Sequence, residues 1–242
     1  MKPLLVALDV DTVDAARRLA DTLRGTVGGF KIGSRLFTSE GPAMVRTLTE
    51  RGDRVFLDLK FHDIPNTVGT AVAAATALGV WMVNVHASGG TAMMQAARDA
   101  ARDSAAKHNL TPPLVIAVTV LTSIDSSNAP PGFASPLSTA AIVPQLLALA
   151  ERSGARGIVC AVPDLAGVRR AHPAPFFAVT PGIRPGGAPS QDQKRVATLA
   201  EAVRAGSSLA VLGRAVTSAA DPRAALEAAR AQRDAAASLA QL

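Results

Sequence analysis

The chain has no tyrosine, one tryptophan and one cysteine, and aromatic residues make up only 3% of its 242 positions. A lone cysteine, Cys160, excludes an internal disulfide and suits a reducing, cytoplasmic setting. It lies in the apolar run Gly157-Ile158-Val159-Cys160-Ala161-Val162, which reads as core rather than as a nucleophile's surroundings. Ala, Val and Leu must carry the packing, and a hydrophobic content of 48% excludes a disordered chain. Runs of Lys and Arg with interleaved aromatics are also missing. The net charge of +6 is scattered, so it does not describe a nucleic-acid platform, and an anionic small molecule is the better partner. The N-terminal run meets Asp9 too early for a signal peptide. Ile64 to Ala97 contains no Asp, Glu, Lys or Arg, which raises the question of a membrane span. Pro65, Asn66, Gly69, Gly79, Asn84, His86 and Gly89-Gly90 interrupt it, so it reads as a buried helix followed by a buried strand.

Lysine is scarce. The lysines are Lys2, Lys31, Lys60, Lys107 and Lys194, and every other basic residue is Arg. Lys31 and Lys60 are read as lying at strand ends. A compact ammonium can give up a proton there, which guanidinium does poorly.

Apolar runs recur in order: Leu4–Asp9, Gly29–Gly33, Arg54–Lys60, Trp81–His86, Leu114–Leu121, Gly157–Ala161, Phe176–Thr180 and Leu209–Gly213. Helix-like segments follow them at 12–24, 40–51, 66–78, 91–107, 138–153, 163–171, 192–205 and 221–239. Near-continuous apolar strands are buried on both faces, which indicates a parallel sheet. Eight such units predict one (β/α)₈ barrel domain over residues 1–242, with a doubly wound sheet as the alternative.

Polar residues collect at the strand exits, where barrel active sites form. They are Asp9, Lys31, Asp58 with Lys60, Asn84 with His86, Thr122-Ser123, Arg184 and Gly213-Arg214. On a strand, Asp58 and Lys60 share one face about 7 Å apart, while Leu57, Leu59 and Phe61 point the other way. Neighbouring acids would keep Lys60 charged, making it a general acid rather than a Schiff-base nucleophile. Arg184 and Arg214 follow the two strands whose loops often bind phosphate in barrels, though two surface arginines would leave the same trace. Asp63, ahead of Ile64-Pro65-Asn66-Thr67, reads equally as a helix N-cap. Gln193 in Ser190-Gln191-Asp192-Gln193 reads from spacing as the far end of a capping box. His62 has no second His or Cys at metal-site spacing, so no metal ligands are assigned.

The run Asp58-Leu59-Lys60-Phe61-His62-Asp63-Ile64-Pro65-Asn66-Thr67 closely resembles the signature of orotidine 5′-phosphate decarboxylases of the short bacterial form. Ala7-Leu8-Asp9, Phe30-Lys31-Ile32-Gly33, Val118 to Ser123, Thr180 to Pro185, Asp192-Gln193-Lys194-Arg195 and Leu212-Gly213-Arg214 extend the resemblance over the whole chain. Metal-assisted keto-sugar-phosphate decarboxylases and aldolases of the same superfamily share the D-x-K-x-x-D motif and are the alternative. The resemblance implies cofactor-free loss of CO₂ from orotidine 5′-phosphate to give UMP. It casts Lys60 as the C6 proton donor, Asp58 as neighbour of the leaving carboxylate, and Lys31, Asp58, Lys60 and Asp63 as an alternating charge network. It assigns Asp9 and Lys31 to the ribose, Thr122-Ser123 to the base, and Arg184, Gly213 and Arg214 to the phosphate, with Gln193 closing over the ligand. It further implies a homodimer, in which Asp63 and Thr67 serve the neighbouring subunit's site, and it counts Ile64 among the substrate-binding residues. No nucleic-acid or membrane partner is implied.

Overall fold

The computed structural model describes residues 3–125, 127–128, 139–173, 176–184 and 195–239. Eight parallel strands close into a barrel in sequence order: β1 Leu4–Ala7, β2 Gly29–Gly33, β3 Val55–Phe61, β4 Met82–His86, β5 Leu114–Val118, β6 Gly157–Val159, β7 Phe177–Thr180 and β8 Leu209–Leu212. β8 returns to β1 with Leu5 beside Val211. The open-sheet alternative is thereby excluded.

Side-chain alternation divides the strands into two cores. Leu5, Ala7, Phe56, Met82, Ile116, Val179, Leu209 and Val211 fill the barrel. Their neighbours, among them Leu4, Val6, Leu57, Val83 and Val85, face outward onto the helices. Burying a side chain of this size contributes about 1.5–3 kcal/mol, and Phe56→Ala in the inner layer would cost about 3–5 kcal/mol. Gly157 opens β6 because a Cβ there would stand 2.2 Å from the Phe177 carbonyl oxygen.

The helices are α1 Val13–Leu23, α2 Ser34–Glu40, α3 Ala43–Glu50, α4 Pro65–Thr76, α5 Gly90–Lys107, α6 Thr139–Ser153, α7 Leu165–Ala171, α8 Leu199–Arg204, α9 Arg214–Thr217 and α10 Pro222–Leu239. The uncharged stretch forms α4 and β4, as its interruptions imply, and then runs into the first half of α5. Val68, Gly69, Val72 and Ala75 of α4 are buried, and Ser104 on α5 donates to the Ala73 carbonyl at 2.8 Å. The outer face of α4 leaves Thr67, Thr70 and Ala74 exposed. Among the described residues no helix is long and apolar enough to cross a membrane.

Several features differ from the sequence expectation. The ladder of β5 ends at Val118 rather than Leu121, because the chain turns away over the barrel mouth. α2 was not anticipated, since only Leu36 of its residues is buried and it carries no strong apolar stripe. α8 begins at Leu199 rather than at 192. It starts behind a capping box, in which Thr198 Oγ1 accepts from the Glu201 N–H and the Glu201 carboxylate accepts from the Thr198 N–H. Residues 195–198 are drawn off the helix, with Ala197 bridged to Ile183. Ser190 and Gln193, the other capping-box candidates, lie outside the described residues. Lastly, Asp63 is not the N-cap of α4. Ile64 holds that position without a side-chain cap, and the Asp63 carboxylate accepts from the Ile64 N–H at 2.6 Å.

Candidate active site

The inner face changes character along each strand. Above the apolar layer of Ala7, Phe56 and Met82 stand Asp9, two residues past the end of β1, and Asp58 and Asn84, two residues further along β3 and β4. Lys31 extends up from the Phe56 level of β2. Its ammonium lies 3.2 Å from both Asp9 carboxylate oxygens and 3.3 Å from Asp58 Oδ2. Lys60 Nζ donates to Asp58 Oδ1 at 2.7 Å. The charges therefore alternate as Asp9, Lys31, Asp58, Lys60. Gly33 makes room for this, since a Cβ on it would lie 3.0 Å from Asp9 Oδ1 and 3.1 Å from Lys31 Nζ.

The two ammonium groups are not equivalent. The Lys31 side chain is 10% exposed and that of Lys60 is 36% exposed, so Lys60 is the one offered to the cavity. Burial works against the charge on Lys31, but Asp58 and Asp9 outweigh it and raise its pKa. Burial likewise opposes the charge on Asp58, and Lys31 and Lys60, with hydrogen bonds from Lys60 and Asn84, hold its pKa below the ordinary carboxylate value. Both groups remain charged at neutral pH.

Sequence pattern places Asn84 among the strand-exit polar residues and assigns it no chemistry. It is wholly buried, donates from Nδ2 to Asp58 Oδ1 at 2.6 Å, and accepts the Lys60 backbone N–H at 2.9 Å. His86, further along β4, stacks against His62 with ring centroids 5.2 Å apart. Burial, then His62 and Lys60, lower its pKa.

These residues open onto a cavity of about 470 Å³ that Thr122, Ser123, Arg184, Gly213 and Arg214 also line. A second clasp at its rim was not legible in the sequence. Arg195 donates to Asp164 Oδ2 at 2.6 Å and to the Val120 carbonyl at 2.7 Å, and its backbone N–H meets the Thr122 carbonyl at 3.1 Å. It thus ties the loops after β5, β6 and β7. Gly213-Arg214 opens α9, as expected. Cys160 is fully buried, and burial, reinforced by Asp164, pushes its thiol up to about 12, which agrees with an inert core thiol.

Asp9, Lys31, Asp58, Lys60, Thr122, Arg184, Gly213 and Arg214 therefore meet in one pocket. Asp63, Ile64 and Thr67 do not line it. All three are exposed, Ile64 by 66%, at the start of α4. Gln193 lies outside the described residues. Among those described, no three His, Cys, Asp or Glu side chains form a group that could hold a metal ion. The acids in the pocket are instead engaged by ammonium groups. A cavity with fixed cations facing its interior and two arginines at one rim suits an anionic molecule in which negative charge develops during reaction.

Comparison with known proteins agrees. Residues 2–229 match the model of the "Orotidine 5′-phosphate decarboxylase / HUMPS family". The orotidine 5′-phosphate decarboxylase of Moorella thermoacetica is 47% identical over 229 residues, 95% of this chain and 91% of that protein. That of Pseudomonas entomophila is 47% identical over 93% of this chain and 94% of its own length. The crystal structure of orotidine 5′-phosphate decarboxylase from Lactobacillus acidophilus superimposes with a TM-score of 0.80 at 34% identity, covering 97% of this chain and all (100%) of that one. The chain belongs to the orotidine 5′-phosphate decarboxylase / HUMPS family.

Proposed function

We propose that Lys60 is the proton donor in the reaction for which the relatives are named. The chain is a carboxy-lyase that converts orotidine 5′-phosphate to UMP and CO₂, the last step of pyrimidine-nucleotide synthesis. The single observation that carries the Lys60 assignment is its ammonium, 2.7 Å from Asp58 and the more exposed of the two at the cavity. As the bond between C6 and the carboxylate breaks, its electron pair stays on C6 and CO₂ departs. The fixed ammonium stabilises that developing charge and then transfers one proton to C6. Lys60, left neutral, regains a proton from water. Asp58, negative beside the departing group, would repel the substrate carboxylate, a repulsion that vanishes with CO₂.

The same reading gives Asp9 and Lys31 the ribose hydroxyls, Thr122-Ser123 the base, and Arg184, Gly213 and Arg214 the phosphate, with Gln193 closing over the ligand. Phosphate contacts remote from C6 supply binding energy that orients the reacting carbon. Residues 1–242 act as one barrel domain. Two chains pair through the outer face of α4, so that Asp63, Ile64 and Thr67 complete the opposite site. The exposure of Ile64, an apolar side chain beside an uncharged helix, supports that pairing. The lone, buried cysteine supports a cytoplasmic setting.

A metal-assisted keto-sugar-phosphate lyase is the competing reading. It fits less well because Lys31 and Lys60 occupy the flanks of Asp58 that a cation would need. Purified protein mixed with orotidine 5′-phosphate and a chelator separates the two. Conversion to UMP unaffected by the chelator supports the proposal. Conversion that stops with the chelator favours the metal lyase, and UMP binding without turnover would make the chain a binder.

A further inference from the structure

We infer that Asn84 is a positioning residue for decarboxylation, one amide that holds both the backbone turn presenting Lys60 and the carboxylate of Asp58. The inference rests on the roles proposed above for those two residues.

The strands carry the argument. Leu57 of β3 pairs with Val83 of β4, and Phe61 pairs with Val85, so β3 spends more residues than β4 over the same stretch of ladder. The excess is a bulge, and within it Lys60 takes a positive φ of 51°. A non-glycine residue persists there only when its surroundings impose it. The bulge also lifts the Lys60 N–H out of the regular ladder, and Asn84 Oδ1 accepts it at 2.9 Å.

That bond settles the orientation of the amide. With Oδ1 committed to a donor, Nδ2 faces Asp58 Oδ1 at 2.6 Å. The same oxygen accepts Lys60 Nζ at 2.7 Å. The hydrogen bonds thus close a ring from the Lys60 backbone through Asn84 and Asp58 to the Lys60 ammonium. Simple filling of the barrel would be served by an apolar side chain, as it is one layer below by Met82. A buried amide is costly unless its hydrogen bonds are made, and both ends of this one are spent on the two residues nearest the chemistry.

Two variants test the inference. Asn84→Leu keeps the volume and removes both bonds. Its kcat should fall about 100-fold, the scale on which small misplacement of a reacting group acts, while UMP affinity stays within about threefold. Asn84→Asp keeps an acceptor for the Lys60 N–H but donates to Asp58 only when protonated. Its kcat should therefore show a new alkaline limb, absent from the native enzyme. Asp9, Asp58, Lys31, Lys60, His86 and His62, the titratable groups around the site, are not substituted, so the limb would belong to the new carboxyl. A profile for Asn84→Asp parallel to the native one, or equal loss of kcat and UMP binding in Asn84→Leu, would overturn the inference and leave Asn84 a packing residue. Failure of either variant to fold would do the same. Absence of turnover in the native chain would instead defeat the functional reading itself.

Discussion

The ammonium of Lys31 lies 3.3 Å from Oδ2 of Asp58, reached diagonally, since Lys31 pairs in the sheet with Phe56 rather than with Asp58. Both side chains are nearly buried. Removing one partner of such a pair leaves the other charge poorly compensated, so Lys31→Met should lower unfolding stability by about 3 kcal/mol. In an Asp58→Asn background the same change should cost less, with a coupling energy of about 1–3 kcal/mol in a double-mutant cycle by urea unfolding. Additive costs would show that the two do not stabilise one another.

Lys60→Ala should lower kcat by about 10³-fold or more, because the proposed proton donor and a fixed charge would be lost together. The far-UV spectrum should hardly move, and the unfolding midpoint should fall less than in Lys31→Met, since this side chain is 36% exposed and Lys31 still pairs with Asp58. Lys60→Arg should not restore activity, because guanidinium does not release its proton. Turnover within tenfold of native in the alanine variant would remove Lys60 from the chemistry.

Stability should follow pH in three stages. His86 has a pKa lowered below 6.5, by burial first and then by His62 and Lys60, so the folded state resists its protonation. That contribution is whole above pH 6.5 and declines as pH falls below it. The pKa of Asp58 is lowered below 3.8, so its stabilising charge is complete above pH 3.8 and is lost as pH falls through the folded value. The pKa of Lys31 is raised above 10.5, so its contribution is complete below pH 10.5 and is lost as pH rises through the folded value. Urea midpoints across pH test this. His86→Gln should lack the decline that starts at pH 6.5, and an unchanged profile would rule His86 out.

Arg195→Ala should loosen the barrel mouth. The pair with Asp164 is 11% and 5% exposed, and breaking it should cost about 3–5 kcal/mol. Losing the bond to the Val120 carbonyl frees the chain leading to Thr122. KM for orotidine 5′-phosphate should then rise about tenfold, with a smaller change in kcat. Arg195→Lys should rescue little, because an ammonium cannot span carboxylate and carbonyl as the planar fork does. An unaltered KM would limit Arg195 to stability.

Mixing Asp58→Ala chains with Asp63→Ala chains should recover activity that neither shows alone, if Asp63 serves the neighbouring site. Each mixed dimer then holds one site with both acids intact. No recovery, with chain exchange verified by mass spectrometry, would confine Asp63 to its bond with the Ile64 N–H.

The strand order and most of the pocket were legible because alternation has a short, regular period. Asp9, Asp58 and Lys60 sit where apolar runs stop, and Lys31, in the middle of β2, reaches the same pocket by its long side chain, so their meeting at one rim follows once the sheet closes. Thr198 went unrecognised as a helix start because Ser190 and Gln193 carry the same spacing of residue types, and only backbone conformation separates such candidates. Arg195 and Asp164 are 31 residues apart, a distance over which no periodicity speaks.

By itself the sequence determined a parallel alternation of strand and helix and the placement of acids and lysines at the strand exits. Both depend on local patterning that repeats along the chain. Only the tertiary structure decided that Lys60 sits on a bulge with positive φ and that Asn84 bonds both its backbone and Asp58. It also decided that Asp63 faces outward, away from its own pocket. Those outcomes turn on which groups two neighbouring strands bring within hydrogen-bond distance, and a one-residue shift in register would change every one of them.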